Sequence, residues 1–220
     1  VPEWRKEKYW SRLAQGYDEG VDHIVGEAIQ QEIAERLSEE RDLGEVLEFG
    51  CGTGYFTKVI AHNADCVVAT DLSDEMLEVA AAELKGFPNV TVQKADCENA
   101  SLPSGGFDTV FMANVIHFIE SPLDALLESY RILKDGGLLL LVDYTGYGMK
   151  RSEKLRLGLR FIRVCGLPPR HGRPNLSPDE LRLLVEGAGF LVERVRLIGE
   201  ATKALYLKGR KPEAADSGGA

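Results

Sequence analysis

The chain has 220 residues, with 26 basic and 35 acidic side chains and a formal net charge of -9. Its 44% hydrophobic and 28% charged residues are an ordinary globular composition, which excludes a disordered or fibrous chain. The acidic excess argues against a duplex nucleic-acid partner, and no apolar run approaches the roughly 18 residues that span a bilayer.

The opening Val1-Pro2-Glu3-Trp4-Arg5-Lys6 has no apolar signal core, so a cytoplasmic location is expected. Cys51, Cys66, Cys97 and Cys165 are scattered, with no C-x-x-C pair and no histidine at ligand spacing. Neither a disulfide framework nor a metal site is expected.

In chain order, residues 1–44 hold about two helices' worth of pattern. Trp10, Leu13 and Tyr17 share one face, as do Val25, Ile29, Ile33 and Leu37. This N-terminal segment either packs on a sheet edge or caps the mouth of a site. Residues 46–49 read as a strand, followed by a glycine turn and a helix over 55–61. A strand over 66–70 leads to a helix capped by Ser73, with Met76, Leu77, Ala80, Ala81 and Leu84 inward. Strands over 90–92 and 107–113 come next. Ser121-Pro122 starts a helix with Leu123, Leu126, Leu127, Tyr130 and Leu133 on one face and Gly136 ending it. A strand over 138–144 precedes a basic segment, 145–176, and Ser177-Pro178-Asp179-Glu180 is a capping box for a helix carrying Leu181, Leu184, Val185 and Ala188. Two β-like stretches, 190–198 and 204–207, suggest an antiparallel hairpin. Residues 211–220 have nothing to bury and read as a disordered tail.

Alternating strands and helices mean an α/β, doubly wound, mostly parallel sheet in one domain spanning 1–210. Ligands of such sheets bind at the carboxyl ends of the strands. There the chain places Glu48-Phe49-Gly50-Cys51-Gly52-Thr53-Gly54, whose alternate glycines let a ligand lie against the backbone. Asp71 ends the second strand, where a carboxylate can take both hydrogen bonds of a ribose diol; helix capping is its alternative role. The dinucleotide pattern G-x-G-x-x-G fails in both frames, because Tyr55 and Thr57 stand where its third glycine belongs.

The E-x-G-x-G-x-G spacing instead resembles motif I of class I S-adenosylmethionine-dependent methyltransferases. The similarity extends over roughly residues 46–144. Asp71, with Leu72 beside it, matches the family's ribose-binding acid, and Ala95-Asp96-Cys97 matches the segment whose acid faces the adenine amine. Phe107-Asp108-Thr109-Val110 with Ala113-Asn114-Val115-Ile116-His117 resembles the fourth-strand motif, and Leu133-Lys134-Asp135-Gly136-Gly137 the entry to the fifth. The resemblance implies a three-layer Rossmann-like sheet of seven strands with the last pair antiparallel. It also implies S-adenosylmethionine as cofactor and S-adenosylhomocysteine as product. Gly50, Gly52, Gly54, Asp71, Leu72, Asp96, Cys97 and Asn114 are the expected donor-binding positions. Glu48 either balances the donor's ammonium or merely orders the loop. Asp96 has turn formation as its alternative.

Transfer from a sulfonium needs alignment first, and a base only when the acceptor must lose a proton. His117, just past the fourth strand, is the candidate base, since imidazole is suited to phenols and enols; the alternative is a helix-start histidine bonded to backbone. Asp143 and Tyr144, ending the fifth strand, are candidates for orienting substrate. Tyr17 resembles the aromatic that N-terminal caps lay over the donor, with core packing as its alternative. The N/D-P-P-Y motif of enzymes acting on base amines is absent. Asn114-Val115-Ile116-His117 looks more like the branch of ubiquinone and menaquinone biosynthesis enzymes, which implies a small-molecule acceptor at oxygen, carbon or nitrogen. A nicotinamide oxidoreductase and a silent donor-binding module are the rival readings.

The segment 144–176 carries Lys150, Arg151, Lys154, Arg156, Arg160, Arg163, Arg170 and Arg173 against the single acid Glu153. Leu155, Leu159 and Ile162 share a helical face within it, with Phe161 near the seam. Such a helix can close over the acceptor site, touch an anionic surface through 150–163, recognise an anionic acceptor, or simply be solvated. Pro168-Pro169 and Gly172 read as a hinge after it.

Overall fold

The structure, a computed structural model, describes residues 10–119, 121–166 and 175–214. The expected hinge at Pro168, Pro169 and Gly172 and the basic residues Arg170 and Arg173 lie outside the described residues, as do positions 215–220 of the expected tail.

Seven strands form one sheet: β1 (Glu45–Phe49), β2 (Cys66–Asp71), β3 (Val90–Lys94), β4 (Phe107–Ala113), β5 (Leu133–Thr145), β6 (Leu191–Ile198) and β7 (Lys203–Arg210). Their order is β3-β2-β1-β4-β5-β7-β6, with the first five parallel and β7 antiparallel to both neighbours. The expected three-layer sheet with its terminal hairpin is therefore present. Chain order reverses between β1 and β4, which opens a crevice at the carboxyl ends of those strands.

The helices are α1 (Tyr17–Val25), α2 (Glu27–Glu39), α3 (Tyr55–Ile60), α4 (Asp74–Glu83), α5 (Pro122–Ile132), α6 (Arg151–Cys165) and α7 (Pro178–Gly187). Three of them begin on serines whose hydroxyls take an otherwise orphaned N–H. Ser73 accepts from Met76, Ser121 from Asp124 and Ser177 from Glu180. Glu180 returns the bond to the Ser177 N–H at 2.7 Å, closing a capping box.

The period of two along each strand splits the core into two layers. Val46, Leu138, Leu140 and Val142 face Ile29, Ile33, Leu37, Ile60 and Ala80. Leu47, Phe49, Leu139 and Leu141 face Leu126, Ile132, Leu181 and Val185. Several inward assignments differ from the sequence pattern. Leu123 and Leu127 are 41% and 46% exposed, because α5 buries Ala125, Ser129 and Ile132 instead. Ala81 is likewise exposed on α4. Helix α5 ends at Ile132, so Gly136 sits within β5 at φ 74. On α6, Leu155, Leu159 and Ile162 face solvent while Leu157, Phe161, Val164 and Cys165 pack on the core.

Both roles considered for the N-terminal segment occur in different parts of it. Helix α2 buries Ile29, Ile33 and Leu37 on the sheet, and the Glu32 carboxylate accepts from the Gly199 N–H at 3.1 Å, which ties α2 to the β6–β7 hairpin. Trp10 and Tyr17, by contrast, stand over the crevice. Lys211 is paired with Gly136 and Gly137 by backbone bonds of 3.1 and 2.9 Å, so β5 holds the chain one residue into the expected tail.

Candidate active site

The glycine loop between β1 and α3 is built from three positive-φ residues, Gly50, Gly52 and Gly54, at 71°, 55° and 87°. They do different jobs. A methyl group on Gly54 would lie 2.9 Å from Leu84 Cδ1, so this position brings the loop against α4 rather than against a ligand. On Gly52 the nearest atom would be Tyr17 Cε1 at 3.8 Å, which leaves this backbone open to the crevice. Gly54→Ala is expected to cost about 2 kcal/mol from left-handed strain and overpacking, measured by urea unfolding.

Asp71 holds the loop from the next strand. Its Oδ2 accepts from the Gly52 N–H at 3.0 Å and its Oδ1 from the Ser73 N–H at 2.9 Å. Burial raises the Asp71 carboxyl above its usual range, against the pull of these backbone N–H groups. The cap is fastened to the same loop, since the Thr53 hydroxyl donates to Asp18 Oδ1 at 2.6 Å.

The crevice is lined by Gly50, Gly52, Asp71, Leu72, Asp96, Cys97, Asn114 and Tyr17, all singled out from the sequence. Trp10, Met76, Glu98, Val115, Phe118 and Ile119 also line it. The apolar ones were missed because an apolar side chain beside a motif carries no chemical signature, and Glu98 because a lone acid in a polar turn carries none either. Trp10 and Phe118 meet edge to face at 4.8 Å, a contact that joins residues 108 positions apart and is invisible to periodicity. Asp96 also accepts from the Glu98 N–H at 3.0 Å, so it makes the turn considered as its alternative role while lining the crevice. Asn114 has φ 59, a strained conformation that asparagine tolerates, and its Oδ1 accepts from the Tyr144 N–H at 3.2 Å.

Gly54, Glu48, His117 and Tyr144 do not line the crevice. Glu48 is 2% exposed and takes the Thr57 hydroxyl at 2.6 Å, an arrangement that orders the loop. Burial pushes its pKa up to about 8, opposed by the Thr57 bond and helped by nearby Asp71. The folded state thus holds a proton that the unfolded state releases above its ordinary value of 4.5. Stability from this group is full below that value and falls as pH rises towards 8, with a limiting slope of about 1.4 kcal/mol per pH unit. Glu48→Gln, which keeps the neutral shape, is expected to flatten that slope in urea titrations between pH 5 and pH 8.

At the ends of β4 and β5, His117 Nδ1 lies 2.7 Å from Asp143 Oδ1, with Asp143 2% exposed. The histidine is bonded to a side chain and sits in a turn, in place of the backbone-bonded helix start considered from the sequence. Its ring lies against that of Phe118, tilted by 44° with centroids 3.9 Å apart, and Phe118 does line the crevice. The Tyr144 hydroxyl is buried with no hydrogen-bond partner among the described residues; Asn114 stands near without a well-formed bond. Burial raises this phenol's pKa, as do Tyr17 and Asp22 nearby. A larger depression at the opposite edge of the sheet is lined by Asp108, Lys134, Lys208 and Arg210. There Lys134 pairs with Glu45 and Asp108 at 2.9 Å, so its charge is already matched, and the depression lies at the amino ends of β1, β2, β4 and β5, beside the end of the antiparallel β7.

A family model described as a methyltransferase domain matches residues 47–141, from β1 to within β5. The chain is 30% identical over 201 residues to the malonyl-[acyl-carrier protein] O-methyltransferase of Halalkalibacterium halodurans, covering 82% of this chain and 69% of that protein. The chain belongs to the S-adenosylmethionine-dependent methyltransferases. The demethylmenaquinone methyltransferase of Tropheryma whipplei is 27% identical over 94% of this chain and 92% of its own length. A malonyl-[acyl-carrier protein] O-methyltransferase from Marinomonas is matched over 56% of its length, so this chain spans little more than half of that relative. A SAM dependent methyltransferase from Aquifex aeolicus has the same fold, with a TM-score of 0.66 at 21% identity over 93% of this chain and 98% of that one.

The methyltransferase uses S-adenosylmethionine and releases S-adenosylhomocysteine, and the nicotinamide reading is not favoured. The crevice suits that donor: it offers an open glycine backbone and a carboxylate on the neighbouring strand. No helix among the described residues is long and apolar enough to cross a membrane.

Proposed function

We propose that this methyltransferase acts on oxygen or carbon of a small acceptor that must lose a proton, of the phenol or enol class. The supporting observation is the 2.7 Å pair of His117 and Asp143 at the carboxyl edge, beside the donor crevice. A buried carboxylate on Nδ1 holds the proton there and leaves Nε2 with a lone pair. An uncharged aromatic amine has its own lone pair and gives such a base little to do before attack; a hydroxyl or carbon acid does need one.

Bound S-adenosylmethionine supplies a methyl group already activated on a sulfonium. In this reading Gly50, Gly52, Asp71, Leu72, Asp96, Cys97 and Asn114 hold the donor. Tyr17 closes its methionine end, while Trp10, Phe118 and Ile119 form an apolar wall for the acceptor. His117 would take the acceptor's proton as the acceptor–methyl bond forms and the methyl–sulfur bond breaks, its electron pair leaving with the thioether, and Asp143 acts as a positioning residue that steadies the imidazolium. A relative named as an O-methyltransferase shares with this class an oxygen acceptor.

The test offers methyl-labelled donor with matched panels of phenols, enolic acids and amines, and identifies products by mass spectrometry. Label is expected on the first two panels. Label on amines alone would overturn the proposal.

A further inference from the structure

Helix α6 has two apolar faces, and the fold uses one of them. Leu157, Phe161, Val164 and Cys165 pack on the core, with Val164 Cγ1 3.1 Å from where a methyl group on Gly20 of α1 would lie. Leu155, Leu159 and Ile162, spaced by four and three residues, form a second stripe that is 66%, 60% and 43% exposed. No residue of this helix is fully buried.

The stripe is bordered by exposed cations. At 3.6 residues per turn, Arg151 continues it by one turn, Ser152, Arg156 and Arg163 fall along its flank, and Arg160 lies further round the helix. All five are exposed. The helix's single acid, Glu153, lies away from the stripe and accepts from the Lys150 N–H at 2.9 Å. Of the three acids of α1, packed alongside, Asp18 is engaged with Thr53 and Asp22 with Gln30, and Glu19 is exposed. Among the described residues none of the four arginines is in an ion pair.

We propose that α6 docks the protein on an anionic lipid surface, lying in the interface with Leu155, Leu159 and Ile162 inserted and the arginines among headgroups. The chemistry matches an interfacial helix, which pairs an apolar stripe with cations that reach up to phosphate. Charge complementarity selects this occupant. A symmetric second copy would set arginine against arginine, and a phosphodiester backbone would leave the leucines unpaired with anything apolar. The chain's overall charge of -9 makes a cationic apolar stripe a local feature rather than a reflection of composition. The inference does not depend on which acceptor is methylated.

The experiment is cosedimentation of the full chain with vesicles of phosphatidylcholine alone or mixed with phosphatidylglycerol. Binding is expected with the anionic vesicles only, and its loss in high salt. The triple variant Arg156→Gln, Arg160→Gln, Arg163→Gln should weaken it on the order of 100-fold, at about 1 kcal/mol per basic residue. The pair Leu155→Ser, Leu159→Ser should abolish insertion. Titration with S-adenosylhomocysteine checks that each variant keeps its donor site, since α6 takes no part in it. Equal binding to neutral vesicles, no binding to either, or unchanged binding by both variants would overturn the proposal. So would a dimer in solution that the leucine variant dissociates.

Discussion

Replacing His117 by Asn is expected to lower turnover by about 100-fold or more while leaving the affinity for S-adenosylhomocysteine unchanged. The split follows from position. His117 does not line the crevice, yet its tilted ring touches Phe118, which does, and bonds the buried Asp143 at 2.7 Å. Asparagine is the informative replacement because its side-chain amide can still donate to the Asp143 carboxylate, so no buried charge is abandoned. Asp143→Asn keeps the shape and removes the charge that steadies the imidazolium, and it is expected to lower kcat with little change in KM. The two changes act on one proton transfer, so the double variant should be scarcely worse than His117→Asn alone. Steady-state kinetics of the four proteins decides it. Additive losses, or a His117→Asn enzyme with undiminished kcat, would reduce the pair to a structural contact.

The second large effect belongs to Asp71. Asp71→Ala should weaken donor binding by about 3 kcal/mol, more than 100-fold, in calorimetry with S-adenosylhomocysteine. The loss has two sources. Hydrogen bonds from a ribose diol to a charged acceptor disappear, and the N–H groups of Gly52 and Ser73 lose the oxygens that hold them at 3.0 and 2.9 Å. Asp71→Asn retains one carbonyl acceptor and should fall between the parent and the alanine variant. An alanine variant that binds the product as tightly as the parent would remove Asp71 from the site.

The two predictions draw on different kinds of information. Asp71 is readable from the chain because a glycine turn and an acid one strand later recur at a spacing set by a βαβ unit. The identity of its N–H partners is not readable, since they depend on how the loop folds back. The partnership of His117 with Asp143 is also hidden in the sequence. The residues are 26 positions apart, on strands that are neighbours only because β4 and β5 pair in register from Thr109–Leu138 to Ala113–Val142.

Local chemistry by itself determined the elements of this protein. Serine caps, prolines at helix starts, glycine turns and period-two apolar runs act within a few residues, and they place the strands, the hairpin and the donor loop. Tertiary structure decided which face of each helix is buried, and here pattern was an incomplete guide. Leu123 and Leu127 of α5 point outward because Ala125 and Ser129 allow closer packing on the sheet, and Leu155 and Leu159 of α6 point outward because Leu157 and Phe161 already occupy the core. Burial is a competition between faces for one surface, and its outcome depends on atoms distant in the chain. The same physical reason governs the site: the glycines and acids announce themselves by type and spacing, while Trp10, Phe118 and the His117–Asp143 pair acquire their roles only when the sheet brings them together.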